Sequence, residues 1–192
     1  MLYREPLAVA VASVRNTRMF VAFDVPEEVS SSIIGSLEGI EEHNARVVRK
    51  DDMHATLAFF GSMKTGQQDL LCGILESVEL QRFRVVLSGF SLLGRGIVYA
   101  RIVDGAKEMN ELSSTIKSAS RNAGIDTDMR DFFPHVTVAR VRNWREGSMR
   151  KFIEGIRDVG QWNFTCTRIS AKKTDFTDNG VVHTLVCSKE LI

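Results

Sequence analysis

The second half of this chain repeats the first, and that constrains its fold more than any other feature. Asp24 matches Asp104, and Arg49, His54 and Thr56 of RKDDMHAT match Arg130, His135 and Thr137 of RDFFPHVT, at offsets of 80 and 81 residues. A repeat has to be recognised before a fold is assigned, because it fixes what the unit of folding is. Around these anchors each half reads strand, helix, strand, helix, strand. Strand patterning covers Arg18 to Asp24, His54 to Phe60 and Phe83 to Phe90, and again Ile97 to Val103, His135 to Val141 and Phe164 to Ala171. Helical spacing runs from Pro26 to about Glu42 through Val29, Ile33, Leu37 and Ile40, and over Gln67 to Leu80. In the second half it covers Asp104 to Ala123, with Gly124 as its stop, and Arg145 to Arg157. A last strand, Val181 to Cys187, is expected to pair with its predecessor across Asp178-Asn179-Gly180, a hairpin signal.

No linker rich in Gly, Pro or Ser divides the halves, so they are expected to pack as one cooperative α+β domain over 18–192. The expected architecture is bilobal and pseudo-two-fold, a duplicated β-α-β-α-β unit with lobes formed from the repeats 18–91 and 97–188. Its two sheets should be mainly antiparallel, lining a central groove, with helices outside. Residues 1–17 fall outside the repeat and read as an N-terminal extension.

Composition narrows the function classes. With 44% hydrophobic and 26% charged residues the chain is in the ordinary globular range, which excludes disorder and fibrous repeats. Its 25 Lys+Arg nearly cancel 24 Asp+Glu, so a nucleic-acid contact has to come from a local basic patch. The apolar run Leu7 to Val14 is far short of the roughly 20 residues a spanning helix needs, and Glu5 spoils it as a signal peptide. Cys72, Cys166 and Cys187 are odd in number and lack CxxC spacing, and they read as buried thiols in a reducing compartment. The expectation is a cytoplasmic monomer with no membrane contact and no obligate protein partner.

The chemistry sits in the repeat. Two of the four histidines stand in His-x-Thr, as His54-Ala55-Thr56-Leu57 and His135-Val136-Thr137-Val138; with 11 threonines in the chain, chance gives about 0.2 such pairs. On a strand, positions i and i+2 share a face, so each motif presents an imidazole beside a hydroxyl. Two imidazoles across a cleft can serve as base and acid in one turnover near neutral pH. Threonine hydroxyls and an arginine can hold an anion between them, and a phosphodiester is the natural occupant. Neither motif carries a further ligand at metal spacing, so no metal and no cofactor is expected. His43 and His183 lie outside the repeat and read as surface and strand residues.

With RMFVAFDVP from Arg18, HATLAFFG from His54 and FFPHVTVAR from Phe132, the chain after residue 17 resembles the 2H phosphoesterases, and within them the RNA 2′,3′-cyclic phosphodiesterases, also called 2′-5′ RNA ligases. The resemblance implies a bilobal α+β fold and metal-independent hydrolysis of a terminal 2′,3′-cyclic phosphate on RNA to a 2′-phosphate. It implies His54 and His135 as the acid-base pair, with His135 as base and His54 as acid, Thr56 and Thr137 on phosphate oxygens, and Arg140 on phosphate. Strand parity puts Arg140 on the face opposite His135, so that role needs a twist, a bulge or the strand end. Arg130, matched by Arg49, is a second candidate for phosphate or groove contacts, taken from the repeat alone. His183 stands where the family's final strand often has a tyrosine.

Other features have weaker functional readings. Arg140, Arg142, Arg145, Arg150, Lys151 and Arg157, with Trp144 among them, read either as a track for an RNA strand or as a solvated helix face. Phe20 and Phe133 are candidates to stack on a base. Gly94-Arg95-Gly96 reads as a turn between strands. Two readings compete with hydrolysis: a nucleotide- or RNA-binding module without turnover, and reversible 2′-5′ joining of RNA at the same site.

Overall fold

A computed structural model describes residues 17–192 apart from Thr65, Arg145, Glu146, Asp178 and Asn179. Of the proposed extension 1–17, Thr17 begins the first strand and the rest lies outside the described residues, as do the tip of the expected last hairpin and Arg145. In order the chain forms β1 (Thr17–Asp24), α1 (Glu27–Gly35), β2 (Ala45–Val47), β3 (His54–Met63), α2 (Gln67–Glu76), β4 (Phe83–Leu93), β5 (Ile97–Asp104), α3 (Ala106–Asn122), β6 (His135–Val141), α4 (Ser148–Ile156), β7 (Gln161–Cys166), β8 (Arg168–Thr177) and β9 (Gly180–Glu190). The strands make two sheets, β3-β1-β8-β9 and β2-β6-β5-β4-β7, with every neighbouring pair antiparallel. The α+β class and the antiparallel sheets match the expectation from sequence, and Gly94 to Gly96 is the turn joining β4 to β5.

The lobes differ from the expected ones in what they are made of. The first sheet takes β1 and β3 from the first repeat and β8 and β9 from the second, while β4, which ends the first repeat, lies in the other sheet beside β5. Each repeat thus lends its closing strand to the opposite lobe, giving matching cores of β3-β1-β8 and β6-β5-β4. This exchange also explains why Phe164 to Ala171 is two strands and not one. The chain leaves β4 in the second sheet at Cys166, passes Thr167, and joins β1 in the first sheet as β8.

Smaller differences have local causes. The helix expected to reach Glu42 stops at Gly35, and Gly39 holds a positive φ of 83°, which a side chain would resist. Leu37 and Ile40 are still buried, through a turn and a 3-10 segment, so the apolar spacing marked core contact correctly and helix length wrongly. Strand β2, three residues long, is too short to show periodicity. Inside, one apolar cluster draws Met19, Val21 and Phe23 from β1, Leu57 from β3, Val98 from β5, Met109, Leu112 and Ile116 from α3, and Val136 from β6.

Cysteine usage corrects the expectation of three thiols. Cys72 on α2 is disulfide-bonded to Cys187 on β9, their Cα atoms 6.0 Å apart across 115 residues of sequence. Cys166 alone is free; it is buried, and burial pushes its thiol pKa up to about 12. An odd count hid one pair and one leftover, and the argument from cysteine usage to a reducing compartment falls with it. Closing so long a loop is typically worth about 2–4 kcal/mol, so Cys72→Ser is expected to lower the melting temperature by several degrees. Mass spectrometry after alkylation should find a single reactive thiol, and only once the protein is unfolded. Three reactive thiols in the oxidised protein would refute the pairing.

Candidate active site

Both His-x-Thr motifs begin a strand and end at a β-bulge. In β3, Thr56 lies opposite Ala22 and Ala58 opposite Val21, which leaves Leu57 as the extra residue. In β6, Thr137 lies opposite Tyr99 and Ala139 opposite Val98, which leaves Val138 in the same position of its motif. A bulge frees a carbonyl from the ladder, and a buried carbonyl needs a donor. The Leu57 carbonyl accepts from the buried Ser113 hydroxyl at 2.6 Å, and the Val138 carbonyl accepts from the Val48 amide at 2.8 Å.

The bulges reset which side chains share a face. Leu57 with Ala58, and Val138 with Ala139, are consecutive buried residues, after which Phe59 and Arg140 emerge exposed on the side of His and Thr. Arg140 therefore reaches the face of His135 and Thr137, as the resemblance requires and simple alternation forbids. Strands β3 and β6 contact each other where the sheets meet. The segment before β6 also bridges to β3, with Thr127 paired to Phe60 and the Asp128 amide donating to the Phe59 carbonyl at 3.0 Å.

Each imidazole is held by the same device. His54 Nδ1 donates to the Asp52 carbonyl at 2.7 Å, and His135 Nδ1 donates to the Phe133 carbonyl at 2.8 Å. Both contacts reach back two residues, and with the proton on Nδ1 they leave Nε2 as the basic nitrogen. An aromatic ring stacks on each: Phe20 on His54 with centroids 4.8 Å apart, and Phe133 on His135 at 5.6 Å, with Tyr99 edge-on at 5.7 Å. Phe20 is almost wholly buried, so it serves as a platform for His54 and not for a base; Phe133 is about half exposed.

Electrostatics separates the first motif from the usual behaviour of histidine. Burial lowers the His54 pKa to about 4, helped by the charges of His183 and Lys172 and opposed by the Asp52 carbonyl and Asp24. Asp24 stands opposite His54 at the end of β1 and pairs with the buried Lys172. His183, placed outside the site by sequence, touches it. Its ring meets His54 edge-on at 5.5 Å and Phe20 at 4.8 Å, and its Nδ1 lies 3.3 Å from the Thr174 hydroxyl. Burial lowers its pKa, and Lys172 and Arg140 push it the same way against Asp52 and Asp24. Arg140 belongs to the other sheet, so its influence on His183 spans the two motif faces. No repeat marks His183, and the two rings it meets, Phe20 on β1 and His54 on β3, are far away in sequence.

Other candidates stand apart. Arg130 lies in the loop before β6 and is committed to Asp128, with guanidinium to carboxylate contacts of 2.5 and 2.8 Å. Arg49 is exposed, 3.9 Å from Asp52. On α4, Met149 and Ile153 are buried and Arg150 lies 5.8 Å over the Trp144 ring, which itself packs on the core. His43 ties the 3-10 turn to α4 through Ser148 at 2.6 Å. Among the described residues no group of three or more His, Cys, Asp or Glu is placed to hold a metal ion.

The depressed His54 pKa has a consequence for stability. An unfolded imidazole takes up its proton near pH 6.5, while folded His54 resists protonation until about pH 4. The unfolded state therefore binds more protons between these values, and the contribution of His54, complete above pH 6.5, is lost as the pH falls toward 4. Between about pH 7 and pH 5, His54→Gln should lose less melting temperature than the wild type, since it has no group to titrate. Parallel melting curves would show instead that His54 is not held neutral by the fold.

Comparison with known proteins supplies the family. The family model described as the 2'-5' RNA ligase superfamily matches residues 25–175. The chain is 25% identical over 173 residues to the RNA 2',3'-cyclic phosphodiesterase of Methanocaldococcus jannaschii, covering 88% of this chain and 98% of that one. A phosphoesterase crystal structure superposes with a TM-score of 0.80 at 20% identity, covering 92% of this chain and 98% of its own. Escherichia coli LigT complexed with 3'-AMP superposes with a TM-score of 0.77 at the same identity and coverage. The last two likenesses are of fold; the family match takes in β3 and β6 with both bulged motifs, and on it this chain belongs to the 2'-5' RNA ligase superfamily.

Proposed function

We propose that the protein hydrolyses the 2′,3′-cyclic phosphate at an RNA end to a 2′-phosphate, using its two pinned imidazoles as base and acid. The observation that carries this reading is the shared construction of the motifs. Each has an Nδ1 proton anchored to a backbone carbonyl, a neighbouring threonine hydroxyl, and a bulge that completes the face. A site that only bound nucleotides would have no use for two histidines in the same tautomer. Relatives named RNA 2',3'-cyclic phosphodiesterase, at low identity, support the choice of substrate.

In this mechanism the Thr56 and Thr137 hydroxyls donate to the non-bridging oxygens of the cyclic phosphate, and Arg140 offsets their charge. One Nε2 takes a proton from water as its oxygen bonds to phosphorus. The bond from phosphorus to the ribose 3′-oxygen breaks, and the other imidazole, entering protonated, delivers its proton to that oxygen. The phosphate remains on the 2′-oxygen. Joining RNA through a 2′-5′ bond would follow the same path in the same direction, with a ribose 5′-hydroxyl replacing water as the group that bonds to phosphorus while the bond to the 3′-oxygen breaks.

The environment of His54 favours the reverse of the roles taken from the resemblance. With a pKa of about 4 it is neutral in the free protein at pH 7, the protonation state in which a general base starts. As acid it would need the substrate anion to raise its pKa by several units before it carried a proton at all, whereas as base it already has the required protonation state, and the same anion strengthens it. We therefore assign His54 as base and His135 as acid. The pH profile of kcat/KM, which reports groups of the free enzyme, should then show an acid limb near 4. A rate that falls steadily above pH 4 would restore His54 as the acid.

The direct test is turnover of an RNA oligonucleotide ending in 2′,3′-cyclic phosphate, with chelator present and the product isomer identified. His54→Ala and His135→Ala should each cost about 10²–10⁴-fold. Thr137→Ala should cost about 10–100-fold, the loss expected for one hydrogen bond to a charged oxygen. Binding of the cyclic end with no turnover in the wild type would point to the binding module.

A further inference from the structure

The bulge that turns Arg140 onto the motif face brings a second arginine with it. On β2, the edge strand of its sheet, Arg46 lies directly opposite Arg140. Directly opposed residues of an antiparallel pair project to the same face, with Cα atoms about 5 Å apart. Arg46 is exposed, while its neighbour Ala45 is buried. Among the described residues neither the Arg46 nor the Arg140 side chain makes a hydrogen bond or salt bridge. Like charges facing each other across a ladder weaken it unless something between them compensates.

We propose that Arg46 forms a second anion subsite, which holds the phosphodiester one nucleotide upstream of the reacting cyclic phosphate. The inference rests on the reading of Arg140 as a ligand of the reacting phosphate and deepens it. Two long guanidinium side chains rooted side by side can each grip a phosphate in a bidentate fork, and consecutive phosphates are the anions a nucleic-acid strand offers in series. The substrate class is then an oligonucleotide with a cyclic end, and a cyclic mononucleotide fills only half of the site. The strand order fits this arrangement: Arg140 shares β6 with His135 and Thr137, and Arg46 lies one strand further out, on the sheet edge.

The experiment compares a cyclic mononucleotide with a dinucleotide carrying the same cyclic end, in wild type, Arg46→Ala and Arg46→Glu. In the wild type kcat/KM should favour the dinucleotide about tenfold or more, the scale of a charge-assisted contact. That ratio should collapse toward one in Arg46→Ala and fall further in Arg46→Glu. The salt dependence for the dinucleotide should lose about one unit of slope in Arg46→Ala, since one fewer phosphate is neutralised. A wild-type ratio near one, or a ratio that survives both variants, would overturn the subsite and leave Arg46 as a solvated charge guarding a sheet edge. Equilibrium binding of the same dinucleotide, with and without Arg46, is read independently of turnover. If no cyclic end is hydrolysed but binding still depends on Arg46, the hydrolytic reading fails and the subsite stands.

Discussion

A β-strand alternates its side chains strictly, so a histidine and an arginine five positions apart belong to opposite faces unless the ladder is interrupted. The interruption at Val138 is therefore the constraint on which the rest of the site depends. One extra residue lets His135, Thr137 and Arg140 share a surface while Val136, Val138 and Ala139 remain in the core. Its counterpart at Leu57 does the same in β3, with Phe59 in the place of arginine. The two bulges persist because their freed carbonyls find donors, a helix hydroxyl in one case and a backbone amide in the other.

From this duplicated device the sequence has built two unequal half-sites. His54 is enclosed by Phe20 and His183 and placed near the Asp24–Lys172 pair, so its environment disfavours a proton. His135 shares its surroundings with Tyr99 and the half-exposed Phe133. Unequal environments around two equal groups are what assigns them different tasks in acid-base chemistry. The exchange of closing strands between lobes serves the same end. It brings β8 and β9 beside β1, and with them Lys172 and His183 against the first motif.

Much of this was legible from the residues. Two His-x-Thr motifs at matching positions marked the chemistry, and strand patterning over His54 to Phe60 and His135 to Val141 marked their strands. Legibility failed where the deciding partner was distant. His183 looked like an ordinary strand residue because what matters about it is a contact with His54, 129 positions earlier. Arg130 looked equivalent to Arg49 by repeat, yet each is occupied by an acid of its own loop. Cys72 and Cys187 looked unpaired because nothing in their spacing reports that α2 lies against β9.

The sequence by itself determined the duplication, the strand and helix type of the longer elements, and the identity of the two imidazole and hydroxyl pairs. These follow from local periodicity and from residue chemistry, which need no partner to be read. Tertiary structure decided which sheet each closing strand joins, which face Arg140 presents, and that His54 and His183 are held below their solution pKa. Those properties depend on pairing register and on desolvation by groups brought together from remote parts of the chain, and neither is written in any one segment.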